Sequence, residues 1–129
     1  MWTFEHEVES DAAPAAVWAL YADASGWPAW DHGLERVEID GPFAIGTTGR
    51  LTPTGMEPLP FLLTAVEPER GFADETAFAG HVLRFRHTLE PRAGGGTRIV
   101  HRVEIEGPAA EEMGPQVVGE MPLAMRALA

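Results

Sequence analysis

The chain begins by alternating. Trp2, Phe4, His6 and Val8 fall on one side of an extended backbone, and Thr3, Glu5, Glu7 and Glu9 on the other. A period of two predicts a half-buried strand over 2–10 with an acidic face toward water. Asp11-Ala12-Ala13-Pro14 then opens a helix, with proline in the first turn, where its missing N–H is not needed. Val17, Leu20 and Tyr21 share one face of that helix, with Trp18 beside it. The helix breaks at Ala24-Ser25-Gly26, and the chain turns through Trp27-Pro28-Ala29-Trp30. Alternation resumes over 34–40, with Glu35, Val37 and Ile39 on one side and Arg36, Glu38 and Asp40 on the other.

Two further strands are predicted at 47–52 and 59–66, around a Pro53-Thr54-Gly55 loop. Pro58 and Pro60 disturb the second of these and point to a sheet edge. Downstream the signal sharpens. Phe72, Asp74, Thr76 and Phe78 alternate up to an Ala79-Gly80 turn. His81, Leu83, Phe85, His87 and Leu89 alternate on the next strand, and Ile99, His101, Val103 and Ile105 on the one after the Gly-rich turn. No element needs a parallel crossover, so an antiparallel meander is the simplest topology. Residues 109–129 close the chain as a helix. Met113, Val117, Met121 and Leu128 lie near one face, Met125 lies a turn beyond Met121, and Pro122 kinks or divides the helix.

The inward faces can be aligned. A two-residue turn at Ala79-Gly80 opposes Phe78 to His81, Thr76 to Leu83 and Phe72 to His87. Asp74 is then diagonal to His87, at roughly 7–8 Å between backbones. Pairing Leu89 with Ile99 sets His87 opposite His101. His32 and His81 sit near turns and are expected to be solvated.

Several stretches together carry a family resemblance. They are the helix with Val17-Trp18, the Trp27-Pro28-Ala29-Trp30 turn, Gly46-Thr47-Thr48-Gly49-Arg50-Leu51, Val66 to Phe72, Gly95 to Val100, and Gly107-Pro108 before the last helix. The chain resembles the SRPBCC (START-like) superfamily, and within it the polyketide cyclase/dehydrase-like branch. The resemblance runs along nearly the whole chain and implies one domain, 1–129, of the α+β helix-grip fold. That fold is a curved antiparallel sheet of about seven strands around a C-terminal helix, with two short helices between the first two strands and a cavity between sheet and C-terminal helix. It also pairs the first strand with the last, which brings His6 toward His101. His6, Asp74, His87 and His101 then form one polar island on an apolar concave wall.

Three chemistries suit that island. Histidines titrate near neutral pH, so His87 and His101, with Asp74 orienting one of them, suit removal of a proton alpha to a carbonyl and its return as water leaves. His6, His87 and His101 from adjacent strands also suit an open zinc site, but their spacing matches no metal signature, and no metal or cofactor is expected. Alternatively, the histidines bond only the polar end of an apolar ligand. Tyr21, Trp30, Phe72 and Phe85 are candidate cavity walls. Arg50 is a candidate for a ligand oxygen if it points inward. Met113, Met121 and Met125 form a soft stripe suited to a variable ligand.

The resemblance implies binding of a small hydrophobic molecule, aromatic or polyketide-like, with or without cyclase or dehydratase turnover. A lipid-like carrier or sensor without turnover, and an interaction module of the co-chaperone or toxin type, are the alternatives. A homodimer would close the cavity if the short C-terminal helix leaves it open.

Composition narrows the field. Nine basic residues against 20 acidic ones give a net charge of −11, and no basic stripe interrupts the excess. Nucleic acid and anionic membrane surfaces are therefore disfavoured as partners. The absence of cysteine removes disulfides and thiolate chemistry. With no apolar run of spanning length and no signal-like start, a cytoplasmic protein is the default expectation.

Overall fold

The computed structural model describes residues 1–119 and 121–129. Glu120, within the predicted C-terminal helix, lies outside the described residues. The strands are β1 (Trp2–Ser10), β2 (Leu34–Ile39), β3 (Thr48–Pro53), β4 (Leu59–Glu67), β5 (Gly71–Phe78), β6 (His81–Pro91) and β7 (Thr97–Glu106). Among the described residues they make one antiparallel sheet in the order β1-β7-β6-β5-β4-β3-β2. Helix α1 (Pro14–Ala22) and a 3₁₀ turn (Ala24–Ala29) lie between β1 and β2; α2 (Ala110–Val117) and α3 (Met121–Leu128) end the chain. This is the curved seven-stranded sheet of the helix-grip fold.

Local chemistry sets the register. Ala79 and Gly80 both take positive φ, 49° and 78°, the conformation a tight hairpin turn needs to match strand twist. Phe78 accordingly faces His81, Thr76 faces Leu83 and Phe72 faces His87. Leu89 pairs with Ile99 and His87 with His101. β1 closes the other side, with His6 opposite His101.

Several expectations need correction. Leu20 does not share the buried face of α1: it is 43% exposed, while Val17 and Tyr21 are buried and Trp18 packs on the core. Glu35 does not face inward with Val37 and Ile39. A register shift between Leu34 and Arg36 turns Leu34 onto the core and leaves Glu35 in water. β4 is not an edge strand, because it lies between β3 and β5. Pro58 precedes the strand, and Pro60 is tolerated because pairing with β5 starts only at Leu62, so it has a neighbour on the β3 side alone. The C-terminal helix is divided, with a break after Val117; Pro122 sits in the first turn of α3, where it costs little.

The core has two parts. Val17, Tyr21, Trp27, Phe72, Leu89, Ile99, Met125 and Leu128 belong to one cluster. Leu83, Val103, Ile105, Ala110 and Val118 form the other. Each large apolar side chain removed from water contributes about 1.5–3 kcal/mol. The outer face carries exposed ion pairs such as Arg102–Glu5, Arg98–Glu7 and Arg84–Glu106, which add little to stability.

His81 is not solvated. It is 5% exposed, with Nδ1 at 2.9 Å from the Ala79 carbonyl and Nε2 accepting from the Ala109 N–H at 2.9 Å. Since the carbonyl only accepts, Nδ1 carries the proton and Nε2 the lone pair. The ring so ties the β5–β6 hairpin to the residue that caps α2. It fits because Gly107 packs against it at φ 147°, where a Cβ would collide with the ring. His81→Ala is expected to cost about 1–3 kcal/mol by leaving the Ala79 and Ala109 backbone groups unpaired, read as a lower urea midpoint.

Candidate ligand site

Pairing across four strands puts Phe72, His87, His101 and His6 in one rung of the sheet. On β7 the rung is flanked by Ile99 of the first core cluster and Val103 of the second. On β6 Leu89 and Phe85 flank it in the same way, and on β1 Val8 and Phe4. The histidine rung is thus the polar seam between two apolar clusters. α3 packs in the first cluster through Met125 and Leu128, and α2 joins the second through Ala110 and Met113. Met121, at the start of α3, touches both. The break in the C-terminal helices falls where the clusters meet.

The rings are close. His87 stacks on Phe72 with centroids 3.9 Å apart, and meets His101 edge-on at 4.5 Å. His6 stacks with Phe4 at 6.5 Å. Tyr21 reaches across from α1: its hydroxyl oxygen lies 2.7 Å from His101 Nε2, and its ring is 5.6 Å from His87. Trp30 packs edge-on against Tyr21, and Trp27 Nε1 donates to the Tyr21 carbonyl at 2.9 Å. Aromatic packing therefore holds the hydroxyl over the sheet.

His87 Nδ1 lies 3.3 Å from the Phe72 carbonyl. A carbonyl only accepts, so Nδ1 bears the proton and Nε2 is left with a lone pair. Burial drives the His87 pKa down to about 4, against the pull of that bond toward the charged form. Burial also lowers His101 well below its ordinary value, with His87 and His6 adding repulsion. Burial raises the Tyr21 pKa, so its phenol stays protonated. His87 and His101 thus present neutral imidazoles beneath the neutral Tyr21 hydroxyl.

Asp74 does not orient a histidine. It lies one rung away opposite Phe85, and its Oδ1 is buried without a hydrogen-bond partner. Burial drives its carboxyl up to about 8. Thr76 Oγ1 and Trp30 Nε1 are likewise buried and unpartnered. Arg50 does not point inward: it is exposed and paired with Asp40 at 3.2 Å and Glu38 at 3.8 Å. Phe72 and Met125 are fully core; Phe85, Met113 and Met121 are partly buried over the second cluster.

Among the described residues no group of three or more His, Cys, Asp or Glu is disposed to hold a metal ion. Between the sheet and α3, Tyr21, Met125 and Leu128 are buried and belong to the first cluster. Two surface concavities are present. One, of about 260 Å³, is bounded by Glu9, Glu90, Arg92 and Arg98; the other, of about 210 Å³, by Thr64, Ala73, Asp74, Phe85, Arg86 and Arg102. No helix among the described residues is long and apolar enough to cross a membrane.

The family described as polyketide cyclase/dehydrase and lipid transport matches residues 1–129. The chain belongs to this family. A search of the curated proteins found no match. Among solved structures, Ara h 8.0201 has a TM-score of 0.76 at 21% identity, over 98% of this chain and 94% of that one. Truncated norcoclaurine synthase from Thalictrum flavum has a TM-score of 0.78 at 18% identity, over 98% and 90%. A Nitrosomonas europaea protein has a TM-score of 0.78 at 14% identity, with the same coverage. At these identities the likeness is one of fold. For this family member the fold is a hydrophobic-ligand scaffold.

Two measurements probe the rung itself. Tyr21→Phe deprives His101 of its partner and is expected to cost about 1–3 kcal/mol in urea unfolding. The second is pH. A histidine held neutral loses native stability as pH falls from 6.5 toward 4, since the unfolded chain takes the proton first. A carboxyl held protonated loses stability as pH rises from 3.8 toward 8, since the unfolded chain releases its proton first. Below 6.5 the two histidines outweigh the one carboxyl, so stability peaks near that pH. Asp74→Asn is expected to remove the decline above the peak and keep the one below it, read by urea unfolding across pH.

Proposed function

We propose that the protein binds a small aromatic or polyketide-like molecule over the histidine rung, beneath the break between α2 and α3, and that His87 acts on it as a base. The observation that carries this reading is the seam. A rung of imidazoles divides the core at the level where the covering helix is itself divided. Met121 spans both clusters there, and methionine repacks at low cost around an irregular guest. The ligand enters by parting α3 from α2 and displacing methionine side chains.

His87 Nε2 takes a proton from a carbon lying between carbonyls. The resulting enolate carbon attacks a second carbonyl of the same chain, and a carbon–carbon bond forms. The alkoxide so made receives the proton back from the imidazolium. The burial that keeps His87 neutral makes its imidazolium quick to return that proton. The Tyr21 hydroxyl, paired with His101 Nε2, stands over the same rung as a neutral polar group. No metal or cofactor enters these steps. The family's description supports the substrate class. So does norcoclaurine synthase, a protein of the same fold solved with dopamine and hydroxybenzaldehyde.

Deuterium exchange at the central carbon of benzoylacetone, followed by NMR, tests the chemistry, and calorimetric titration of the same compound tests binding. The protein is expected to accelerate exchange by about a hundredfold over buffer. His87→Phe keeps the stack on Phe72 and removes the lone pair, so it should abolish the acceleration. Binding with no acceleration would replace catalysis by carriage, in line with the lipid transport in the family's description. Absence of binding would remove the site.

A further inference from the structure

Two polar atoms on the concave face have no use in the fold. Asp74 and Thr76 are 4% and 3% exposed, and Asp74 Oδ1 and Thr76 Oγ1 have no hydrogen-bond partner. They stand two residues apart on β5, so they share its inward face. Asp74 is opposite Phe85 and Thr76 opposite Leu83, in the two rungs next to that of His87. The remaining inward members of those rungs are Leu63, Val103 and Phe4, then Ile105 and Trp2. An unpaired carboxyl and hydroxyl among such neighbours oppose folding, because each gives up water and gains nothing. Apolar side chains of like size would hold this face together better.

We propose that Asp74 and Thr76 form a second polar subsite of the interior ligand site, taking a neutral carbonyl oxygen while His87 Nε2 takes a hydroxyl at the other end of the same molecule. This rests on the reading of the histidine rung as a ligand site. It specifies the ligand class as a ring compound with two uncharged oxygen functions on opposite sides. The diagonal from Asp74 to His87 spans roughly 7–8 Å between backbones, the reach of one six-membered ring with its para substituents. The two rungs contain no arginine, so nothing there balances an anionic end. Burial pushes the Asp74 carboxyl up to about 8, so at neutral pH it is an O–H donor suited to a carbonyl. Above that pH the donor becomes a carboxylate and repels the same oxygen.

Calorimetric titration of the whole chain with benzyl alcohol, 4-(hydroxymethyl)acetophenone and 4-(hydroxymethyl)benzoate tests this. The ketone is expected to bind about tenfold more tightly than benzyl alcohol, the value of one well-made hydrogen bond to a buried group. The benzoate is expected to bind no better than benzyl alcohol. Asp74→Leu and Thr76→Val should keep benzyl alcohol binding, lose the preference for the ketone, and unfold at equal or higher urea concentration than the parent. Asp74→Asn retains an N–H donor and should keep the preference above about pH 8, where the parent loses it. A ketone preference unchanged in Asp74→Leu, or a preference in the parent that survives at high pH, would overturn the subsite while leaving the histidine site standing. Failure of the parent to bind benzyl alcohol and the ketone alike would overturn the histidine site and the subsite with it.

Discussion

One hydrogen bond spans the interior, from the Tyr21 hydroxyl on α1 to Nε2 of His101 on β7. Both groups are buried, and neither ends its polarity in water. The bond therefore fixes how α1 sits on the sheet. Around it Trp27 and Trp30 pack on Tyr21 and on each other, Phe43 closes on Trp18, Trp27 and Phe72, and Phe72 stacks on His87. The aromatic cluster is the means by which short helices and a long loop are held over a curved sheet. The polar bond at its centre sets their registration.

The same rung divides the molecule. Apolar packing continues above and below the histidines but not through them, so the covering helices have two surfaces to fit rather than one. A single straight helix would have to satisfy both at once. The chain instead breaks after α2 and begins again with Met121 touching both clusters and Pro122 in the first turn. His81 secures the front of α2 by its bond to the Ala109 N–H. The start of α2 is anchored while the junction with α3 is bridged by an adaptable methionine. The two ends of the covering segment are thus held by different means, a backbone hydrogen bond at one and methionine packing at the other.

Stability and function pull apart on the concave face. Buried neutral histidines, a protonated carboxyl and unpartnered hydroxyl and indole groups are each less favourable than hydrocarbon in the same position. The histidines, the carboxyl and the Thr76 hydroxyl lie on the inner side of β5, β6 and β7, with ion-paired charges on the outer side, so the sheet has one face in solvent and one packed inside. The family membership supplies the scaffold, and these side chains are what distinguish this interior from an ordinary core.

Much of the fold was legible in the chain itself, because strand alternation and hairpin turns are local properties. The Ala79-Gly80 turn settled the pairing of β5 with β6 and set Phe72 opposite His87, and pairing Leu89 with Ile99 set His101 opposite His87. The inward aspect of His6 followed from the alternation of β1, and its partner from the resemblance. What a side chain does after it points inward is not local. Asp74 was correctly placed diagonal to His87, but only the packed interior showed that His87 turns its Nδ1 to a backbone carbonyl and leaves Asp74 without a partner. His81 looked like a turn residue because its second partner, Ala109, is 28 positions away. Arg50 was ambiguous until β2 brought Asp40 and Glu38 beside it on the solvent side. Period and turn chemistry decide which face a residue occupies; the partner it meets there comes from distant elements, and only the tertiary structure decides it.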